Sequence, residues 1–240
     1  MAEAGGNGGP VRLAFDWQDH RATCAHFNDY RSTIRSLKTD ATFMDFSAPI
    51  VLENSRVRLR PLEIDDFEAL KAVAFDAGLW QYTLSRADDA VSMAAYLRQA
   101  LTDRAQGLRY PFAIVDRQTG QLAGSTSYYG VVADDRRLSI GYTWVGTAFQ
   151  RSGLNRAAKH LLFSYAFDQL DYERVELETD ARNQKSRTAM ARMGATEEGL
   201  LRSHRITQGD FRRDTVVFSV IRAEWSTLRQ TVFQEFEAHD

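Results

Sequence analysis

The sequence has little of what marks exported, metal-binding or membrane proteins. It contains one cysteine, Cys24, in 240 residues, so an internal disulfide and a Cys-x-x-Cys zinc site are both excluded. His20 and His26 lie near Cys24, but three such residues without a fourth partner make a poor metal site. No apolar run approaches the roughly 18–20 residues that span a bilayer, and the N-terminus lacks the basic and apolar segments of a secretory signal. We therefore expect a cytoplasmic protein with no metal and no membrane partner.

An excess of charge of one sign is also missing. The chain has 30 Lys+Arg against 32 Asp+Glu, a formal net charge of -2. Nucleic-acid binding needs a basic surface, so nucleic acid is excluded as the main partner class. The composition, 44% hydrophobic and 26% charged, is typical of a globular chain with one large domain or two small ones.

Glycine and proline concentrate at the N-terminus, where the first ten residues hold four glycines and a proline. This segment has little to bury, so residues 1–43 are expected to form a weakly ordered extension. Met44 directly precedes the first patterned segment, which makes it a second candidate for the start of the functional chain. The patterned domain is expected over residues 50–225, and residues 226–240 are expected to be the end of a C-terminal helix.

From Val51 onward, the hydrophobic period alternates between two, typical of strands, and 3.6, typical of helices. Strands are predicted near residues 57–59, 112–116, 121–128, 138–145, 174–179, 200–206 and 213–220. Helices are predicted near residues 67–74, 92–106, 154–166, 183–193 and 222–237. The strands near 112–145 should pair antiparallel as neighbours. This order predicts the α/β class, a mixed sheet with helices on both faces.

One segment between a predicted strand and the longest predicted helix is typical of a phosphate-binding turn. It consists of Gln150, Arg151, Ser152, Gly153, Leu154 and Asn155. A glycine-containing turn at this position exposes backbone N–H groups at the positive end of a helix dipole, which suits a pyrophosphate. A capped helix start without a ligand has the same local pattern. The segment alone leaves both interpretations open.

Several further segments follow one another in a fixed order. They are residues 140–145 (Ile-Gly-Tyr-Thr-Trp-Val), 157–159 (Ala-Ala-Lys), 165–167 (Tyr-Ala-Phe), 174–177 (Arg-Val-Glu-Leu), 180–187 (Asp-Ala-Arg-Asn-Gln-Lys-Ser-Arg), 198–202, 213–214 and 224–225. In this order and spacing, residues 50–225 resemble the GNAT acyl-CoA N-acyltransferases, most closely their RimJ/RimL-like branch. The resemblance implies the GNAT fold and an N-acetyltransferase. Acetyl-CoA would be the acyl donor, with direct transfer to a primary amine in a ternary complex and no metal.

The resemblance also implies roles for individual residues. The loop 150–155 would hold the CoA pyrophosphate through backbone amides, although Asn155 replaces the family's usual small residue. Trp144 and Val145 would pair their backbone with the pantetheine, and the Val145 N–H would bond the thioester oxygen. Asn183 would contact CoA and Ser186 would protonate the departing thiolate. Both are also standard residue types at helix starts, so a purely structural role is the alternative.

Two basic residues follow the loop on the same predicted helix. Arg156 and Lys159 are therefore candidates for contact with a CoA phosphate.

The general base is the least defined part of this prediction. Ser139 occupies the position at which family members commonly carry glutamate, and a serine does not accept a proton at neutral pH without a partner. Glu178, Glu198 and His204 are the possible substitutes, and we take Glu178 as the candidate. A water chain, or an acceptor amine of low pKa, would reduce the need for a strong base. A peptide α-amine, with a pKa of about 7.7–8.0, suits this better than a lysine amine at about 10.4.

Several alternatives remain open at this point. The acceptor is either a protein N-terminal α-amine or a small-molecule amine, and a longer acyl group such as succinyl is possible. A catalytically silent acyl-CoA sensor or interaction module is the rival from another class: Ser139 favours it and the retained Ser186 speaks against it. The C-terminal helix carries an apolar stripe that either a homodimer contact or the domain's own flank would bury. The stripe consists of Trp225, Leu228, Val232, Phe233 and Phe236.

Overall fold

The computed structural model describes residues 44–237. The expected N-terminal extension, with Cys24, His20 and His26, lies outside the described residues. None of the helices within the described range is long and apolar enough to cross a membrane.

The described residues form one sheet of eight strands in the order β1-β2-β3-β4-β5-β6-β8-β7. Neighbouring strands run antiparallel except β5 and β6, which are parallel. The predicted antiparallel trio is β3, β4 and β5 and is confirmed. The strands are β1 (Leu52–Glu53), β2 (Val57–Pro61), β3 (Arg109–Asp116), β4 (Leu122–Val132), β5 (Arg137–Val145), β6 (Arg174–Asp180), β7 (Thr196–Ile206) and β8 (Arg212–Ile221).

The same residues form five α-helices, as the periodicity predicts. They are α1 (Phe67–Ala74), α2 (Ala90–Ala105), α3 (Leu154–Ser164), α4 (Gln184–Arg192) and α5 (Arg222–Thr231). Apolar residues of α1 and α2 pack in one core cluster with Trp144, and those of α3 pack in a second cluster with Trp225. The two clusters lie on opposite faces of the sheet, because side chains alternate between faces along each strand. The predicted mixed α/β class is confirmed.

The buried stripe predicted for the longest helix is observed on α3, where Leu154, Ala157, Ala158, Leu161 and Leu162 are buried. The α-helical part ends at Ser164 and continues as a π-helical turn over Tyr165–Gln169.

The C-terminal helix is shorter than predicted. It ends at Thr231 and is followed by a 3₁₀ turn, Gln234–Phe236. Thr231 and Val232 are β-branched and favour the helix less, and Phe233 leaves the helix to pack with its ring centroid 5.7 Å from that of Trp225. Both rings also contact Phe163 of α3. The domain's own flank therefore covers the apolar stripe.

The sheet opens between its two parallel strands. β5 and β6 pair from Arg137 opposite Arg174 to Ile140 opposite Leu177. β5 then continues unpaired with β6 to Val145, and β6 continues to Asp180. On its other edge β5 carries a bulge, where two residues oppose Thr126 of β4 and Tyr142 has a φ of 51°. The result is a gap in the middle of the sheet, beside the end of β5.

The end of β5 is held against β4 by a close backbone approach at Gly124. A Cβ at this position would lie 2.1 Å from the Trp144 carbonyl oxygen. We expect Gly124→Ala to force the two strands apart and to lower the free energy of unfolding by about 2–3 kcal/mol, or roughly 5–10 °C in Tm.

Gly199→Ala is the matched control, because the Cβ position of Gly199 in β7 has no atom within 4 Å. We expect it to change stability by less than about 0.5 kcal/mol. Equal thermal unfolding curves for the two variants would contradict the role given to Gly124.

Candidate active site

The backbone of Val145 faces the gap. Gly146, the next residue, donates its N–H to the Ala123 carbonyl of β4 at 2.8 Å. Backbone groups alternate in direction along a strand, so the N–H and C=O of Val145 point away from β4. The Val145 carbonyl accepts a hydrogen bond from Gln150 Nε2 at 3.0 Å. The N–H of Val145 is therefore the group that this end of β5 presents to the gap.

The loop before α3 presents backbone N–H groups at the exposed surface. Arg151 and Gly153 both have left-handed backbones, with φ of 61° and 82°, and such conformations turn successive N–H groups toward one point. Gly153 is the residue that precedes α3, and no atom lies within 4 Å of its Cβ position. Ser152 is engaged within the loop, because its hydroxyl donates to the Phe149 carbonyl at 2.7 Å. The helix start is therefore open to an anion.

Asn155, which replaces the family's usual small residue, neither caps the helix nor has a positive φ. It lies within the first turn of α3, and Gly153 takes the capping position. The Asn155 Oδ1 atom is buried and has no hydrogen-bond partner within the described residues. A buried acceptor without a donor is rare in folded proteins and points to a missing partner.

Asn183 and Ser186 lie across the gap, where β6 leads into α4. Asn183 Oδ1 accepts a hydrogen bond from the Ser186 N–H at 3.0 Å, so Asn183 caps the helix. The purely structural role considered for this pair, capping of a helix, is therefore observed. It leaves the Asn183 amide nitrogen and the Ser186 hydroxyl without hydrogen-bond partners among residues 44–237.

Gln150 and Lys185 connect the two sides of the gap, and the sequence indicated neither contact. The side chain of Gln150 does not lie in the loop cup: its Nε2 atom holds the Val145 carbonyl, and its Oε1 atom accepts from Lys185 Nζ. Lys185 lies in the first turn of α4, inside the motif that contains Asn183 and Ser186. Its place in that motif is the signal that could have identified it.

The two basic residues expected at a CoA phosphate are engaged elsewhere. Arg156 pairs with Glu235 of the C-terminal turn. Lys159 is 3% exposed and points into the protein, where its Nζ donates to Thr143 Oγ1 at 2.9 Å and to Thr126 Oγ1 at 3.3 Å. Burial lowers the pKa of Lys159 to about 7. Since Thr143 belongs to the bulge of β5, this lysine supports the bulge from beneath.

The side chain of Trp144 is anchored away from the gap. Its Nε1 donates to the Tyr96 hydroxyl at 3.2 Å, and its ring lies 5.2 Å from that of Trp80. Its backbone groups point toward β4, because Trp144 pairs with Ser125 and its carbonyl oxygen faces Gly124. Val145, and not Trp144, therefore presents its backbone to the gap.

Glu178 is the best placed of the three candidate bases. Its side chain is 18% exposed and lies 3.6 Å from Arg205 Nη2. Burial raises the pKa of the neighbouring Tyr129, and the Glu178 carboxylate raises it further by a smaller amount. Ser139, at the family's glutamate position, is buried close to Tyr129 and is paired in the sheet with Glu176.

The structure argues against Glu198 as the base. Hydrogen bonds from Arg174 and Ser219 lower its pKa to about 2. Such a carboxylate holds a proton too weakly to act near neutral pH. His204 is exposed on β7.

Comparison with known proteins gives a consistent picture. Residues 56–196 match the family described as acetyltransferase (GNAT) domain. The chain is 34% identical over 106 residues to the Bacillus subtilis (strain 168) protein named "Putative ribosomal N-acetyltransferase YdaF". That match covers 44% of this chain and 57% of YdaF, so the chain spans little more than half the length of this relative.

Two solved structures are also similar. A GCN5-related N-acetyltransferase from Brucella melitensis has a TM-score of 0.73 and 26% identity, and the match covers 78% of this chain and 86% of that one. Mycobacterium smegmatis RimJ, solved in complex with CoA-disulfide, has a TM-score of 0.65 and covers 78% of this chain and 94% of its own. At 21% identity it shares the fold.

Lys159 makes the stability of the domain depend on pH. Its pKa of about 7 in the folded protein lies below the ordinary value of about 10.4, so the unfolded chain binds more protons between these pH values. The wild type should therefore gain stability as the pH rises through this window, by on the order of 3–4 kcal/mol between pH 7 and 10. We expect Lys159→Met to lose that gain.

The measurement is urea unfolding at several pH values, with Lys185→Met as control because Lys185 is an exposed lysine. Other titrating groups cancel in the comparison between variants. Parallel pH profiles for the wild type and Lys159→Met would show that Lys159 is not buried in its neutral form.

Proposed function

The chain belongs to the GNAT acetyltransferase family, and from this we propose that it is an N-acetyltransferase that moves the acetyl group of acetyl-CoA to a primary amine. Transfer is direct, in a ternary complex. The observation that carries this proposal is the gap between β5 and β6, with the Val145 N–H and the start of α3 facing it. The catalytic domain covers residues 50–225, the segment after it packs on its flank, and the cytoplasm is its compartment.

The residues at the gap fit a CoA molecule in three ways. The pyrophosphate suits the open N-terminus of α3 and the left-handed residues before it, Arg151 and Gly153. The unpartnered Asn155 Oδ1 suits an amide or hydroxyl hydrogen of the pantetheine arm. The unpaired edge of β5 at Val145 suits a pantetheine amide, which would extend the sheet. When bound, acetyl-CoA supplies an activated thioester carbonyl.

Each remaining role falls to a residue at the edge of the gap. The Val145 N–H donates a hydrogen bond to the thioester oxygen, where negative charge develops during attack. Asn183 offers its amide N–H to a carbonyl of the pantetheine arm. The Ser186 hydroxyl donates a proton to the departing sulfur, and Lys185 places a positive charge at the mouth of the gap.

Glu178 acts as the general base. It accepts a proton from the ammonium group of the acceptor, which leaves the neutral amine that attacks the thioester carbonyl, and Arg205 at 3.6 Å orients its carboxylate. A protein N-terminal α-amine and a small-molecule amine are both compatible acceptors, and the lower pKa of an α-amine reduces the work of the base. A longer acyl group and a homodimer are compatible with the same site.

Acetyl-CoA should stabilise the domain. At about 100 times its dissociation constant, the ligand adds about 2.7 kcal/mol to the free energy of unfolding, or roughly 5–10 °C in Tm. Gly153→Glu places a bulky anion in the pyrophosphate cup and should abolish the shift. Thermal unfolding with and without acetyl-CoA measures both.

The control for strain and charge is Gly120→Glu. Gly120 also has a positive φ, 70°, and no atom within 4 Å of its Cβ position, but it lies in the β3–β4 turn. This variant should keep the ligand-induced shift. A wild type with no shift would remove the basis for an acyl-CoA enzyme.

Glu178→Gln removes the proposed base without changing the shape of the side chain. We expect kcat to fall by 10²- to 10⁴-fold, with little change in the affinity for acetyl-CoA, because general base catalysis contributes about this much. The remaining rate should depend on pH only through the protonation of the acceptor amine. Steady-state CoA release across a range of pH values tests this.

Glu53→Gln, a substitution of an exposed glutamate on β1, serves as control and should keep the full rate. A full rate in Glu178→Gln would assign the base to a water chain instead. Acetyl-CoA binding without any CoA release by the wild type would favour the silent sensor.

A further inference from the structure

Two buried arginines on the face of the sheet that carries Glu178 have only neutral partners. Arg213 of β8 is 5% exposed, and its Nε donates to Thr215 Oγ1 at 3.1 Å. Arg109 of β3 is 3% exposed and donates to Ser127 Oγ at 2.8 Å and to the Tyr96 hydroxyl at 3.0 Å. Within residues 44–237, neither has a carboxylate oxygen inside the 4.0 Å limit of an ion pair.

A buried cation without a counter-charge is unfavourable unless something else supplies the negative charge. Burial lowers the pKa of Arg213, but a guanidinium remains charged in proteins. The positive charge therefore persists at this site in the absence of a ligand.

The nearby carboxylates of Asp180 and Glu178 partly offset the charge of Arg213, but each already has another arginine as its ion-pair partner. Asp180 is taken by Arg182, with two hydrogen bonds of 2.9 and 2.7 Å. Glu178 is 3.6 Å from Arg205, and Arg205 lies directly opposite Arg213 in the β7–β8 ladder. The Nε atom of Arg205 is also buried, and no acceptor for it lies within the described residues.

The acid-rich part of this face lies at the other end of β6. There Arg174 contacts both Glu176 and Glu198, where β5 and β6 are still paired. Arg205 and Arg213 therefore lie toward the open end of the gap, past the last paired residues of β5 and β6, whereas Arg109 lies on β3, beyond β4 and β5.

Contacts connect the arginines to the proposed reaction centre. The guanidinium of Arg109 lies 3.9 Å from the ring centroid of Tyr142, the bulge residue of β5. The Tyr142 ring packs edge-on against the Tyr129 ring, with 5.4 Å between the ring centroids. Besides burial, the charge of Glu178 raises the pKa of Tyr129, and that of Arg205 lowers it. Arg109 is thus connected through the rings of Tyr142 and Tyr129 to the charged groups around Glu178.

Two loops meet beside Arg182, just after the end of β6. Arg182 lies 3.7 Å from the ring of Phe211 in the β7–β8 turn and 5.6 Å from the ring of Tyr82 before α2. Gln208 of the same turn donates to the Ser85 carbonyl at 3.2 Å. Thr215 pairs with Asp180, the last residue of β6. Arg213 therefore lies just beyond the end of that strand, next to these loops.

We propose that Arg205 and Arg213, called here the arginine pocket, select amine acceptors that carry a carboxylate close to the amine. Arg213 makes the principal contact, because its guanidinium is buried at the open end of the gap and its fork matches a carboxylate. The carboxylate binds the pocket while the amine reaches Glu178. This inference rests on the proposed acetyl transfer and names its acceptor class.

Two kinds of molecule supply this chemistry: a free amino acid, and a peptide that begins with aspartate or glutamate. The experiment compares kcat/KM, from CoA release with saturating acetyl-CoA, for two matched pairs. Alanine against alaninamide tests the free amino acid. Asp-Ala-amide against Asn-Ala-amide tests the acidic peptide. In the first pair the amide has more neutral amine near pH 8, so chemistry alone favours the amide.

In the wild type we expect the carboxylate-bearing member of at least one pair to be preferred by about 10- to 100-fold, the value of a charge-assisted hydrogen-bonded pair. Arg213→Gln should reduce this ratio to near one, and Arg213→Lys should keep part of it. The ratio is measured within one variant, so a loss of folded protein cancels. Arg202→Gln, at an exposed arginine of β7, should keep the full preference.

Equal rates for acid and amide in both pairs, with CoA release intact, would overturn the inference and leave the acetyltransferase proposal standing. A preference that survives in Arg213→Gln would also overturn it. No CoA release with any of the four amines, or with other amines, would remove the proposed function and this inference with it.

Discussion

The separation of β5 and β6 is the constraint on which the rest of the site depends. Two parallel strands that begin in register and part after Ile140 and Leu177 leave backbone groups in the middle of a sheet without ladder partners. Buried backbone groups need partners, so the gap is a place where an extended polar ligand can complete the sheet. Two contacts fix the edge of β5 beside the gap. Gly124 allows β4 to approach closely, and Gln150 Nε2 donates a hydrogen bond to the Val145 carbonyl.

The charges are arranged around that gap. The start of α3 offers N–H groups and a helix dipole on one side, which suits phosphate. The arginine pocket offers guanidinium groups on the opposite face of the sheet. Lys159 lies between them in the core and supports the bulge through Thr143. A chain of net charge -2 thus concentrates positive groups at two places around the gap, one for the CoA pyrophosphate and one for the carboxylate of the acceptor.

Much of this could be predicted from the sequence, because the signals are local. The periodicity of α3, the turn before it and the Asn183 cap each depend on residues a few positions apart. The errors came from contacts between distant segments. Lys159 was expected to contact a CoA phosphate because it follows the loop on the same helix, and only the Thr126–Thr143 pair explains its buried place. Glu198 remained a candidate base until Arg174, 24 residues away, proved to be its partner. The arginine pocket joins β7 and β8, where Arg205 lies opposite Arg213, and no local pattern predicts this register.

The central claim is that the backbone at the end of β5 and at the start of α3 holds the acyl-CoA. Amide hydrogen exchange of the folded protein, resolved by residue and recorded with and without saturating acetyl-CoA, tests it most directly. The account predicts slower exchange at Val145 and at residues 152–156, with no change along β7. Unchanged exchange at these positions, or protection spread evenly over the whole sheet, would contradict it.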